Sequence, residues 1–138
     1  MKTIPYITFH YNDLGKGQLA IHDADGNVSE MRARSGSIDG MGKLQNVIDR
    51  GKWLIKTPHE STNEEGMVIG DSVDGWKTRL YTPKGEFTHF LIHPDGNKPG
   101  SLGCIVTPTM ALDIRDKIDK LLDSCEEIPV FINVRAKC

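Results

Sequence analysis

The sequence predicts one mostly-β domain with a single substantial α-helix in its C-terminal half. Three observations lead there. Runs of β-branched and aromatic residues recur between Gly, Asn and Asp clusters. One 3.6-residue apolar repeat follows residue 107. The 138 residues contain no internal repeat or low-complexity linker that would divide them.

The first third reads as strands over Ile4 to His10, Gln18 to His22 and Val28 to Arg34. Asn12, Asp13 and Gly15 break after the first, and Asp23-Ala24-Asp25-Gly26-Asn27 supplies a hairpin turn between the second and third. Ser35-Gly36-Ser37 closes the third. Leu44, Val47 and Ile48 sit at helical spacing between Gly42 and Gly51, which predicts a short helix before Trp53 to Lys56 resumes extended structure. Trp76 to Tyr81 and Glu86 to His93, joined by Thr82-Pro83-Lys84-Gly85, predict a β-hairpin. Thr107 is placed to cap a helix with Pro108 at its first position, and Met110, Ala111, Ile114, Ile118, Leu121 and Leu122 then recur along one face. Asp113 with Lys117 and Asp116 with Lys120 fall four apart on its wet side. Ile128 to Val134 predicts a last strand.

Composition narrows the function classes. No run approaches the roughly 18 to 20 apolar residues that span a bilayer, and the N-terminal MKTIPYITFHYND lacks the unbroken apolar stretch of a signal peptide. The expectation is a chain neither membrane-spanning nor exported by a signal peptide. Seventeen Lys and Arg against nineteen Asp and Glu, spread without blocks, give no basic stripe for nucleic acid. Cys104, Cys125 and Cys138 are odd in number and lack metal-site spacing, so neither a disulfide framework nor a zinc knuckle is suggested. No metal and no cofactor are expected.

The unusual stretch runs from Ile92 to Val106. Five of the ten residues between His93 and Cys104 are Pro or Gly, so the chain must leave its strand at His93, form a compact loop and re-enter order at Cys104. Such a loop can bring an imidazole to a thiol. A free thiol with pKa near 8.5 is only about 3% thiolate at pH 7, and an adjacent imidazole multiplies that nucleophile. Gly103 offers a backbone that a substrate can approach closely, and the Gly103 and Cys104 amides are candidate oxyanion donors. Ser101, three residues ahead of the thiol, could brace the loop or touch substrate. The bland alternative is a buried structural Cys beside a satisfied His.

These residues resemble the L,D-transpeptidase catalytic domain, the YkuD-like family of peptidoglycan enzymes. The family's strand histidine, glycine-containing loop and Ser-x-Gly-Cys segment are matched by His93, Gly96 and Ser101-Leu102-Gly103-Cys104. Upstream, Gln18-Leu19-Ala20-Ile21, Asp25-Gly26 and Ser35-Gly36 look like its strand, turn and small-residue pair. The likeness covers most of residues 17 to 107. It implies a β-sandwich-like domain in which Cys104 attacks a stem-peptide carbonyl to form a thioester and His93 acts as base and then acid. An incoming amine would give transpeptidation, and water would give a carboxypeptidase or endopeptidase. Gly96 and Leu102 then become candidate substrate contacts, as does His89, which shares a strand face with His93. His89 and His93 are too far apart along a strand to share one ion.

Three features depart from the family pattern. Leu102 stands where the family usually has His, and Ile105, Val106 and Thr107 stand where it has a polar residue and then Asn. The His-to-Cys interval is also short. An alternative class is therefore a non-catalytic wall-binding or structural module that keeps the fold. The expected partner is a peptidoglycan stem peptide, with release by lysis or a specialised secretion machine, and any delivery or immunity partner unidentified.

Overall fold

The fold was obtained as a computed structural model, which describes residues 3–64, 66–69, 74–95 and 103–134. Among these residues, eleven strands and one helix follow in the order β1 (Tyr6–Tyr11), β2 (Lys16–His22), β3 (Val28–Arg34), β4 (Ser37–Ile38), β5 (Leu44–Gln45), β6 (Gly51–Ile55), β7 (Glu60–Thr62), β8 (Gly75–Tyr81), β9 (Phe87–Pro94), β10 (Ile105–Thr107), α1 (Ala111–Ser124) and β11 (Ile128–Ile132).

One turn design is used repeatedly. At Asp23, Oδ1 accepts the backbone N–H groups of Asp25 and Asn27, both at 2.9 Å, and Gly26 takes φ 87° to close the loop. A short polar side chain thereby substitutes for a backbone turn partner. Asn12 does the same for Leu14 and Lys16, and Asp39 for Met41 and Lys43. The last case overturns the helix expected around Leu44 to Ile48. The Asp39 turn makes a hairpin in which Ile38 pairs with Leu44 and Ser37 with Gln45, and Asn46 at φ 57° then turns the chain away. Ile48 is fully buried in the core, but by tertiary packing and not on a helix.

The large sheet runs β6-β11-β1-β2-β3-β10-β9-β8, with β7 on the outside of β8. Leu54 of β6 pairs with Tyr81 of β8, so the eight strands close on themselves. The domain is mainly β with one helix, as expected, but the closing pair makes a barrel where a sandwich was expected. Closure leaves few free sheet edges. Inside, Ile7, Phe9, Leu19, Ile21, Trp76, Leu80, Ile92 and Ile105 form a continuous core. Ile114, Ile118 and Leu121 of α1 join it.

The helix starts later than its sequence signals indicate. Thr107 ends β10 instead of capping α1, because its backbone pairs with Pro94 and its hydroxyl donates to the His93 carbonyl at 3.3 Å. The N-cap is Met110, left-handed at φ 55° and without a side-chain cap. Of the two expected helix pairs, Lys117 faces Asp113 at 3.7 Å, whereas Asp116 is held by its neighbour Arg115 at 2.9 Å. Among the described residues no helix is long and apolar enough to cross a membrane.

Candidate functional site

β9 and β10 are parallel, with Ile92 opposite Ile105 and His93 opposite Val106. The segment between them therefore carries the chain back alongside β9, and Cys104, one residue before β10, falls beside Leu91. Side chains alternate along a strand. Ile92 and Ile105 take the core face, so His93 and Val106, and with them Leu91 and Cys104, take the outer face. Standard strand spacing puts the Cα atoms of His93 and Cys104 about 8 Å apart.

The outer face is organised in rows. Arg79 pairs with Leu91, beside Cys104. The same register puts Lys77 beside His93, and Val106 pairs with Arg34 of β3. Two ion pairs flank the imidazole, Arg34 with Asp95 at 2.6 Å and Lys77 with Glu64 at 2.7 Å. Between them His93 is only 7% exposed.

His93 has a fixed orientation. Its Nδ1 lies 2.7 Å from the Pro94 carbonyl oxygen, and a carbonyl can only accept, so Nδ1 carries the proton of the neutral ring and Nε2 keeps a free lone pair. Burial lowers the His93 pKa, reinforced by the Arg34 charge and opposed by the Pro94 hydrogen bond and by Asp95 and Glu64. At neutral pH the ring is a neutral base.

Burial also raises the Cys104 pKa, opposed by a hydrogen bond from the Leu91 N–H and by the Arg79 charge. The shift runs opposite to the gain in thiolate expected from an adjacent imidazole. The two groups are therefore a protonated thiol and a neutral imidazole, not a preformed ion pair.

Gly103 is required for an internal reason. It adopts φ 87°, and a Cβ built on it would lie 2.4 Å from Cε1 of Phe90. Phe90 packs against the core and meets Trp53 edge-on at 5.5 Å. The close approach that sequence assigned to a substrate is made here by an aromatic ring of the same chain. Ser101, Gly96 and Leu102 lie outside the described residues. His89 is exposed at the start of β9, edge-on to Phe87 at 5.7 Å. No group of three or more His, Cys, Asp or Glu side chains suited to a metal occurs among the described residues.

Arg79, Arg34, Asp95 and Pro94 were not singled out in the sequence. Pro94 and Asp95 follow His93 in the chain, whereas Arg79 and Arg34 reach the site through the antiparallel pairings of β8 with β9 and of β3 with β10. Arg79 stacks over the Phe87 ring at 4.2 Å and donates to the Thr88 carbonyl at 2.6 Å. With Lys77, Tyr81, Phe87 and Leu91 it lines a cavity of about 230 Å³ next to the Cys104 row. Compared with protein-family models, curated proteins and solved structures, the chain finds no match.

Proposed function

We propose that this protein is a cysteine-dependent peptidoglycan enzyme of the L,D-transpeptidase type, with Cys104 as nucleophile and His93 as base. The observation that carries the reading is the His93 ring, tethered through Nδ1 to the Pro94 carbonyl on the strand that pairs in parallel with the one Cys104 leads into. A base held in one tautomer by a neighbouring acceptor is what nucleophilic catalysis requires.

In this reading the Cys104 sulfur attacks the carbonyl carbon of a stem-peptide bond while Nε2 of His93 takes the thiol proton. The Gly103 and Cys104 amides stabilise the developing oxyanion. Collapse breaks the C–N bond, the leaving amine takes the proton from Nε2, and a thioester remains on Cys104. An acceptor amine, or water, then attacks the thioester as His93 Nε2 takes its proton, and the C–S bond breaks with the sulfur recovering that proton from Nε2, which restores the thiol and the neutral ring. The cavity lined by Arg79 and Phe87 suits the donor side, since it opens beside the nucleophile.

The upward shift of the Cys104 thiol favours one competing reading, a wall-binding module without turnover. Acylation separates the two. A working site carries a hydroxylamine-labile acyl adduct on Cys104 after exposure to muropeptides, and His93→Ala strongly reduces it. A wild-type protein that forms no adduct would favour the module. Digestion of purified muropeptides followed by mass spectrometry then distinguishes cross-linking from cleavage.

A further inference from the structure

The outer face carries more positive charge than the chain's net charge of −2 suggests. Lys16 of β2 pairs directly with Arg34 of β3, and Gln18 pairs with Arg32. All four point outward, because Leu19, Met31 and Ala33 between them take the core side. Together with Asn12 and Pro108 they line a groove of about 420 Å³. Like charges directly opposite each other on a sheet destabilise it. Arg34 is offset by Asp95, but no carboxylate pairs with Lys16 or Arg32 among the described residues. Such a site is held ready for an anion from outside.

Its position gives the anion a role. Arg34 pairs with Val106, and Val106 with His93. Two strand spacings thus separate Arg34 from His93, about 10 Å. The groove lies on the opposite side of His93 from the cavity lined by Arg79. The site therefore has a second arm, on the side where a thioester at Cys104 would meet an acceptor.

We propose that the Lys16, Arg32 and Arg34 groove binds the free carboxylate of the acceptor, an acidic peptide whose amine reaches His93. This rests on the enzymatic reading above and adds the substrate class of its second step. Lys16 lies one strand beyond Arg34, about 14 Å from His93, so a span of about 10–14 Å corresponds to about three to four residues of extended peptide between the acceptor's carboxylate and its amine. Cations on the flanking strands would then supply the polar anchoring absent from Leu102, Ile105 and Val106, the positions just around the thiol.

The test compares a tripeptide ending in a free carboxylate with the same tripeptide ending in an amide, titrated into the whole wild-type protein by calorimetry. The acid should bind at least about tenfold more tightly, the scale of a charge-assisted hydrogen bond. Lys16→Gln with Arg32→Gln, at exposed strand positions, should abolish that preference without lowering the unfolding midpoint or changing the circular dichroism, since it also relieves the Lys16–Arg34 repulsion. If that pair lowers stability, Arg32→Gln alone is compared with Arg32→Lys, which should retain most of the preference. Equal binding of acid and amide, binding of neither, or a preference that survives the double substitution overturns the proposal. Failure of the enzymatic reading shows separately, as no acyl adduct on Cys104 of the wild-type protein.

Discussion

Gly103→Ala tests the local architecture that delivers the thiol. At φ 87° an alanine meets the penalty of the left-handed region, about 1–2 kcal/mol. Its Cβ would also lie 2.4 Å from Cε1 of Phe90, with Cδ1 at 2.7 Å. Relief requires the ring to shift within the packing it makes with Trp53 and the core, and such overpacking costs about 1–3 kcal/mol. Restricting the unfolded chain returns about 0.4–1 kcal/mol. The net loss is about 2–4 kcal/mol, a large share of a typical domain's stability. Urea unfolding followed by tryptophan fluorescence measures it. Phe90→Leu removes ring atoms from the clash but not the backbone strain, so in a double-mutant cycle it should recover roughly 1 kcal/mol or more of the Gly103→Ala loss. A Gly103→Ala protein within about 0.5 kcal/mol of wild type, or no coupling to Phe90, would refute the reasoning.

Other outcomes follow from the same structure. Ser35 is buried and its Oγ accepts the Ile48 N–H at 3.0 Å. Ser35→Ala leaves that amide unpaired and should cost about 1–3 kcal/mol by urea unfolding. The His93 pKa is lowered by burial in the folded state, so the unfolded chain takes up a proton first as the medium is acidified. Stability should therefore fall as pH drops below about 6.5, and His93→Gln should flatten that part of a plot of unfolding midpoint against pH. Glu64 is lowered chiefly by its hydrogen bond to Lys77, so its contribution is present above the ordinary carboxylate range and is lost in more acidic solution. Arg79 lowers the Cys104 pKa against the rise caused by burial. Arg79→Gln should move the midpoint of iodoacetamide reactivity at Cys104 to higher pH, read by peptide mass mapping.

Local signals in the chain carried much of the fold. Asp23 to Asn27 declares its turn through an Asp that can mimic a backbone partner and a Gly that can take positive φ, and β2 and β3 follow from it. The same arrangement at Asp39 to Lys43 was equally readable, but Leu44, Val47 and Ile48 also fit a helical period. Over so short a window the turn decides the outcome. The helix after residue 110 was visible because Ala111, Ile114, Ile118 and Leu121 repeat over more than two turns. Its start was not, since Thr107 and Pro108 look like a cap unless β10 is known to pair with β9.

Long-range pairing was the hidden part. Nothing local indicates that Leu54 meets Tyr81 to close the barrel, or that β10 lies parallel to β9. His93 and Cys104 could be chosen from residue type and loop composition. The Pro94 carbonyl at Nδ1 is a contact with the next residue, but the Arg79 and Arg34 charges beside the pair depend on register between strands distant in sequence. The basic residues of the outer face illustrate the same limit. Lys16, Arg32, Arg34, Lys77 and Arg79 are scattered along the chain and form no stripe until β2, β3, β10, β9 and β8 are laid side by side.

The most direct test of the central claim is intact-protein mass spectrometry after brief exposure to purified muropeptides and acid quenching. The account predicts an added mass equal to the acyl portion of the stem, mapped to Cys104, labile to hydroxylamine as a thioester, absent in Cys104→Ser and strongly reduced in His93→Gln. Turnover of the muropeptides that persists in Cys104→Ser, or an unmodified wild-type protein with no product formed, would contradict it.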